Sequence, residues 1–565
     1  MNIIKEKSHI SLWIIVVLFI GTAIIPGNFS YLVPGEYYRF YFLSFLSSIF
    51  LLFIILNKQI NSSYYILSFL FIILFLLIVM KLHGAPWLSF IKCISYSCLL
   101  ISLYQIKEDD RVIIFSLFPI LSSFTCFIVI LGKYGKISYL SFENSAWFDN
   151  VAEPMLLISI GFSSLLPKIH KKKEKIKQLI VTFILLIHIV VSIIVEARTT
   201  LLSMIVISVV FIYLEKNSIS NKYKIILIAA IIVLTAILYL LLLKKNDSSD
   251  GRLLIWRITV LSSTDHLLLG HGPGSFISQY MSNQAMFLKD CVNSHHTNIA
   301  GNIYHPFNEF ILVFYQYGLV GLTILFTLLF STIRLLRNNT KYLLCFIALI
   351  VYSCFSYPSR YVIFWIVLLF IISDPNLSHK RSMIFELNRK RRLLLLCIPF
   401  SLVMMTSADI AFNYYWKNYY NKFQDNKTDV VKNYAKLAKY WNYDPRFLYN
   451  WAMINYQSSN YSSCIQILNK CSIWLDDYYV ELLYGECYEL MEQYDDALKH
   501  FTICKNMWPS LLIPEYKIFE IYKLKGDTNK AIIVGEHIVD RIPKVANVTT
   551  KTIKASVSDY LETLK

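Results

Sequence analysis

The chain alternates long apolar stretches with short polar ones, and no other feature restricts its fold as much. An α-helix needs about 17 to 25 apolar residues to cross a bilayer, because each residue adds only about 1.5 Å of rise against ~30 Å of hydrocarbon. Thirteen such stretches can be placed, near residues 11–25, 38–56, 64–82, 85–105, 111–131, 150–166, 177–195, 199–214, 224–243, 307–333, 341–357, 359–373 and 393–410. The predicted fold is all-α: a polytopic helical membrane bundle of about 13 transmembrane helices over residues 1–410, followed by a second domain over residues 411–565. Composition agrees, since 16% charged residues against 56% hydrophobic ones is well below the roughly one quarter charged of soluble domains. A soluble enzyme is excluded.

The formal charge of +17 raises the question of nucleic acid. Its distribution answers it. Residues 411–565 hold 19 Lys and Arg against 18 Asp and Glu, while residues 1–410 hold 35 against 19. The excess belongs to the membrane part, where basic loops set orientation, and nucleic acid is not implied. One side of the spans receives Lys5 and Lys7, Lys58, Lys107 and Arg111, the run Lys168 to Lys177, Lys216 to Lys224, Arg334 to Lys341, and Lys380 to Arg392, together 23 of those 35 basic residues. That side is expected to be cytoplasmic, with the N-terminus. The other side receives the 244–306 loop, the turn at Arg198 and, after an odd number of spans, the whole C-terminal domain. The run from Leu12 to Ile25 ends at Pro26-Gly27 without an A-x-A-like site, so no cleavable signal is expected.

The outward loop from Lys244 to His305 is the one long segment between spans, and loops of this length in a compact domain are usually functional. Within it Leu253, Leu254, Trp256, Ile258 and Leu261 suit a short helix lying at the membrane surface, from which Arg252 and Arg257 would project towards headgroup phosphates.

After Ala411 a period of about 34 residues appears. Gly485, Tyr488, Tyr494, Ala497, Phe501 and Pro509 fall at the spacing of a tetratricopeptide repeat. Ala452, Tyr461 and Leu468 lie one period earlier, and Phe519, Tyr522, Ala531 and Pro543 one later, giving three repeats preceded by a helix from Thr428 to Trp441 that ends at Asp444-Pro445. Such positions pack helices and carry no chemistry. The domain is therefore expected to recruit or position an acceptor or a protein partner. Cys464, Cys471 and Cys504 sit where this repeat takes small residues, so buried packing explains them, with a Cys487–Cys504 bridge as the alternative. No cysteine or histidine spacing indicates a metal site.

Three features that could carry chemistry converge on the outward face. The first is Glu196 to Thr200 (EARTT), where Arg198 reads either as an arginine snorkelling to the headgroups or as one facing a lipid-linked pyrophosphate, for which a planar fork of donors is suited. The second is Arg252, Trp256 and Arg257 with the turn Gly270-His271-Gly272-Pro273-Gly274, which either reverses the chain or helps bind an anion. The third is Tyr304 to Leu322, where His305 and Asn308 precede a span that contains Gly318 and Gly321. His295 and His296, in the same loop, rival His305.

The order of these features resembles the O-antigen ligase and polymerase superfamily of bacterial polytopic glycosyltransferases. Ala197-Arg198-Thr199 matches its arginine at the head of a span. Gly251-Arg252 with Trp256, then the glycine turn ending in Phe276, match its second motif, and Asn308-Glu309-Phe310-Ile311 with Gly318 and Gly321 match its third. The resemblance covers residues about 180 to 340 in motif and 1 to 410 in topology. It departs twice: Phe307 stands where the family has its histidine, with His305 the nearest, and Gln316-Tyr317 stand where it has an acid.

The resemblance implies a metal-independent glycosyltransferase without cofactor in the bacterial inner membrane. It would move a glycan from undecaprenyl pyrophosphate to an acceptor on the periplasmic face. Arg198, Arg252 and Arg257 would hold the pyrophosphate, His305 would act as base, and Asn308 would fix the local geometry. An O-antigen ligase with lipid A core as acceptor is the leading reading. An O-antigen or capsule polymerase and a protein O-oligosaccharyltransferase are the alternatives of the same class, and a non-enzymatic flippase of lipid-linked oligosaccharide that of another. A flippase predicts internal repeats and charged residues deep in the bundle; apart from Lys92 and His188 the span interiors offer little of either.

Overall fold

The computed structural model describes residues 13, 16–17, 20–21, 36–56, 59–82, 87–134, 151–169, 175–244, 246–289, 295–375, 382–423, 427–541 and 547–564. Most of the predicted span 11–25 lies outside the described residues, as do Lys5, Lys7, Lys58, the centre of the 168–177 run, Lys380, Arg381 and Pro543.

In chain order the elements are α1 (Glu36–Leu56), β1 (Gln59–Ser63), α2 (Tyr64–Leu82), α3 (Trp87–Tyr104), α4 (Glu108–Tyr134), α5 (Ala152–Leu165), α6 (Lys175–Ile194), α7 (Arg198–Leu214) and α8 (Asn221–Lys244). The 244–306 loop forms α9 (Asn246–Ser262), α10 (Ser275–Leu288) and α11 (His295–Ile299). Then come α12 (Glu309–Leu336), α13 (Thr340–Phe355), α14 (Val362–Ile372), β2 (Ser382–Glu386) and α15 (Arg389–Asn421). The C-terminal helices are α16 (Lys427–Ala438), α17 (Pro445–Gln457), α18 (Tyr461–Cys471), α19 (Tyr478–Leu490), α20 (Tyr494–Met507), α21 (Ile513–Leu524), α22 (Thr528–Asp540) and α23 (Val548–Thr563). Among the described helices α1, α4, α6, α8, α12 and α15 are long and apolar enough to cross a membrane, while α3, α7, α13 and α14 are shorter apolar helices on further predicted spans.

The chain forms two compact units, one of Met1–Lys245, Phe307–Phe310 and Leu322–Asn413, the other of Asn246–Pro306, Ile311–Gly321 and Tyr414–Lys565. The 244–306 loop thus groups with the C-terminal helices, and α15 runs through the change from one unit to the other.

In the first unit α5 is the central helix, buried from Glu153 to Leu165. Small residues allow this: a methyl group on Gly161 would come within 1.9 Å of the Ser122 hydroxyl of α4, and Ser159 bonds Ser203 of α7 at 2.6 Å. Membrane helices pack in this way because apolar side chains gain nothing by leaving lipid for one another. By contrast α8 exposes Ile225, Ile226, Ile232, Val233, Tyr239 and Leu240. The two polar groups noted in the spans are engaged, His188 with Ser122 at 3.1 Å and Lys92 over the Tyr37 and Phe40 rings. Arg39 and Glu153 form a buried ion pair between α1 and α5. Arg111, also buried, donates to the carbonyls of Leu103, Phe370 and Ser373, the last at 2.6 Å, and so ties together the ends of α3 and α14. The strands β1 and β2 pair antiparallel, Ile60 opposite Phe385. Sequence analysis does not anticipate this pair, because each strand is five residues long and its partner lies far away in the chain.

In the second unit α17 pairs with α18, α19 with α20, and α21 with α22, followed by α23. Asp444 caps α17, accepting from Arg446 N at 2.9 Å with Pro445 in the first turn. The helix expected from Thr428 to Trp441 is α16, which ends at Ala438. A methyl group on Gly485 would lie 2.5 Å from the Phe501 ring, so α19 and α20 approach closely there. Cys487 and Cys504 are both buried free thiols.

Candidate active site

Arg198 opens α7. The chain leaves α6 through a turn in which Ala197 N bonds Ser192 O at 2.9 Å and Glu196 N bonds Ile193 O at 3.0 Å, with Glu196 at φ 56°. Glycine usually makes this helix stop. A Glu there carries about 1 kcal/mol of backbone strain. Two residues on, the Thr200 hydroxyl meets that of Tyr352 at 2.6 Å and fixes the start of α7 to α13. Lys133, in the last turn of α4, donates to the Ile194 carbonyl at the end of α6.

Asn308 caps α12, its Oδ1 accepting from Phe310 N at 2.9 Å. The next residue, Glu309, accepts from Ser359 N at 3.0 Å, within the Pro358–Arg360 turn that joins α13 to α14. Phe307 has φ 55° and lays its ring 5.3 Å from that of Tyr357. The side chain at the position of the family histidine is therefore an aromatic packing group. Within the first unit, the start of α7 meets α13 at Tyr352, and the stretch with Asn308 meets the turn after α13 at Tyr357 and Ser359. Lys133 and the exposed Arg360 are cations of this region that sequence analysis missed. Their signal was position alone: both stand at ends of spans predicted to face outward.

In the second unit α9 carries Arg252 and Arg257. Leu254, Ile255 and Ile258 are buried, whereas Leu253 and Leu261 are 58% and 50% exposed. Sequence analysis places these apolar residues together on a membrane surface. Instead α9 has two apolar edges, one of which is buried inside the unit. Arg257 is on the exposed side, its guanidinium carbon 5.3 Å from the centre of the Phe287 ring. Arg252 is half-buried. Trp256 donates its indole N–H to the Pro306 carbonyl at 2.7 Å. That bond joins the arginine helix to the turn that holds His305.

The residue before His305 is fixed as well. Tyr304 donates to Asp477, which also accepts from Asn302 Nδ2 at 2.8 Å and caps α19 by accepting from Tyr479 N at 2.6 Å. Burial and the neighbouring Asp477 carboxylate push the Tyr304 hydroxyl pKa up, which keeps it a donor. A second tie runs through Asp476, which accepts from the Ser282 hydroxyl at 3.0 Å and from its backbone N–H. A third is Gln284, fully buried, whose amide donates to Gly301 O at 2.9 Å and Met507 O at 2.6 Å. The 244–306 loop is thus bolted to the C-terminal helices. Sequence analysis treats these as separate parts. His295 bonds the exposed Asp250 at 3.1 Å, and His296 lies near the Phe287 ring.

The glycine turn works through its backbone. His271 N and Gly272 N bond Tyr315 O and Gln316 O, each at 2.9 Å, while Leu319 N and Val320 N bond Leu267 O at 2.9 Å and Leu268 O at 3.1 Å. These four bonds pair the turn with a break in α12 at Gly318, φ 62° and ψ −160°. A methyl group on Gly318 would stand 2.3 Å from the Leu268 carbonyl oxygen, and one on Gly270 2.4 Å from the Gln316 carbonyl carbon. Only glycine allows two main chains this close.

Within the second unit the Trp256 bond sets α9, which carries Arg252 and Arg257, against the turn with His305, while in the first unit Arg198 opens α7 and Asn308 caps α12. Residues 181–326 match the family described as O-antigen ligase, a stretch running from α6 into α12 and containing all five of these residues. No curated protein matches the chain.

Proposed function

We propose that the chain is a membrane glycosyltransferase that moves a glycan from undecaprenyl pyrophosphate to an acceptor hydroxyl on the periplasmic face, with lipid A core as the acceptor. The observation that carries this reading is the Trp256 to Pro306 bond, which sets the helix bearing Arg252 and Arg257 against the turn bearing His305 inside the stretch similar to O-antigen ligases. In the reaction the acceptor oxygen bonds to the anomeric carbon, the bond from that carbon to the pyrophosphate oxygen breaks, and undecaprenyl pyrophosphate leaves. His305 takes the acceptor proton. Arg198, Arg252 and Arg257 neutralise the charge that develops on the leaving oxygen, where fixed donors are most effective. Asn308 holds the first turn of α12 and with it the segment that follows His305.

The topology that goes with this reading has thirteen spans, the N-terminus in the cytoplasm and residues 411–565 in the periplasm as a tetratricopeptide-like domain. It is supported by the β1–β2 pairing, which joins two loops that the charge pattern assigns to one side. A protein O-oligosaccharyltransferase is the second reading. The packing of the C-terminal helices on the outward loop favours it, because helical repeats bind polypeptides.

Comparing glycolipids and glycoproteins of a deletion strain tests these readings. Loss of polymer on lipid A, with lipid-linked polymer accumulating, is expected. Shortened polymer chains would instead mean a polymerase, unglycosylated proteins an oligosaccharyltransferase, and lipid-linked glycan trapped on the cytoplasmic side a flippase.

A further inference from the structure

A cavity of about 430 Å³ lies between α9 and α10, lined by Leu261, Asp265, Gln279, Asn283, Met286 and Phe287 among others. Its size falls within the ~300–1,000 Å³ of small-molecule sites. Behind two of these lining side chains the hydroxyl of Tyr315, a fully buried residue, accepts from Asn283 Nδ2 at 3.1 Å and donates to Gln279 Oε1 at 3.1 Å. Tyr315 is itself held, its ring stacked 4.5 Å from that of His271, whose Nε2 lies 2.9 Å from Ser262 O.

Each amide therefore spends one end on Tyr315. The other ends, Asn283 Oδ1 and Gln279 Nε2, bond to no described residue, and they leave one fixed acceptor beside one fixed donor. Exchanging the ends of both amides leaves the same complement. A sugar ring matches it, because each hydroxyl gives one hydrogen bond and can take others. The apolar side of the cavity, Leu261, Met286 and Phe287, suits the C–H face of such a ring, and Asp265 supplies a further acceptor. Phe287 is also the ring over which the Arg257 guanidinium lies. A phosphate group on Arg257 and a sugar in the cavity would thus share one wall.

We propose that this cavity is a saccharide subsite, which holds a sugar ring of the donor glycan while Arg257 holds the pyrophosphate attached to it. The proposal rests on the transferase reading above. To test it, two probes are offered to the purified full-length protein in detergent. One is the phosphate-free oligosaccharide released by mild acid from the lipid-linked pool of the same cells, followed by saturation-transfer NMR. The other is undecaprenyl pyrophosphate without sugar. The parent protein is expected to bind both. Gln279→Ala with Asn283→Ala should weaken oligosaccharide binding at least tenfold and leave undecaprenyl pyrophosphate binding unchanged. Tyr315→Phe, which only frees the two amides, should give a smaller loss of the same kind. If the double variant does not fold, Gln279→Ala alone reads the same effect, because Gln279 is exposed. Equal oligosaccharide binding by parent and variants, or none by the parent, overturns the subsite. If undecaprenyl pyrophosphate binds to neither protein while oligosaccharide binding still follows Gln279 and Asn283, the donor assignment fails and the subsite stands.

Discussion

Tyr304 donates its hydroxyl to the carboxylate of Asp477, so a residue of the C-terminal helices holds the position next to His305. A hydrogen bond to a charged group contributes about 1.5–3 kcal/mol. Tyr304→Phe and Asp477→Asn should each lower the transfer rate, and the double variant should be no slower than the more impaired single. A double-mutant cycle on transfer by the purified protein measures this coupling. Fully additive losses would separate the C-terminal helices from the chemistry.

His305→Ala should slow transfer by roughly 10² to 10⁴, the usual contribution of a general base, with donor binding little changed. Arg198→Lys, Arg252→Lys and Arg257→Lys keep the charge and lose the planar fork, so all three should be impaired in the transfer step as well as in binding. Single-turnover kinetics with lipid-linked donor distinguishes the two effects. A His305→Ala variant that folds and transfers at the parent rate would leave the arginines as the whole of the mechanism.

Gly318→Ala and Gly270→Ala should each destabilise the chain by at least about 2 kcal/mol, because a positive φ and a backbone clash add together. Gly274→Ala is the control. It shares the positive φ, at 82°, but its added methyl group meets nothing within 4 Å, so its cost should stay near 1 kcal/mol. Thermal unfolding in detergent gives the ranking.

Burial raises the Asp476 carboxyl to about 6, against the two bonds from Ser282 that lower it. A carboxyl whose pKa is higher in the folded state binds its proton more tightly there. Its contribution is therefore most favourable at low pH and is lost as pH rises from about 4 to 6. Asp476→Asn should flatten that part of the stability profile, and the difference between parent and variant melting curves from pH 4.5 to 7 measures it.

A reporter active only in the cytoplasm, fused after Lys565, should be silent. Strong signal there would overturn the sidedness proposed for residues 411–565.

The spans could be read from the sequence because lipid demands long continuous apolar runs, and α1, α4, α6, α8, α12 and α15 follow them. Motif positions could be read too, but their partners could not. Nothing in the sequence near Trp256 names Pro306, and nothing near Gly270 names Gly318; those pairings arise from tertiary packing. The same holds for Gln284, whose buried amide faces Met507 across more than two hundred residues. A period of 3.6 cannot say whether lipid or α10 covers an edge, so the sequence alone does not separate the buried Leu254 and Ile258 of α9 from the exposed Leu253 and Leu261. Phe307 could be seen as a departure from the family, but only its contact with Tyr357 explains what the ring does.

The four main-chain bonds between the 267–272 turn and the break in α12 have a practical meaning for engineering. They depend on backbone register and not on side chains, so the 244–306 loop is not a cassette that can be transplanted by its ends. A chimera meant to redirect this protein to another acceptor should carry over residues 246–321 as one block, with both glycines. It should also bring the helices that supply Asp476, Asp477 and the Met507 carbonyl, since a foreign set would leave Gln284 and Tyr304 without their partners.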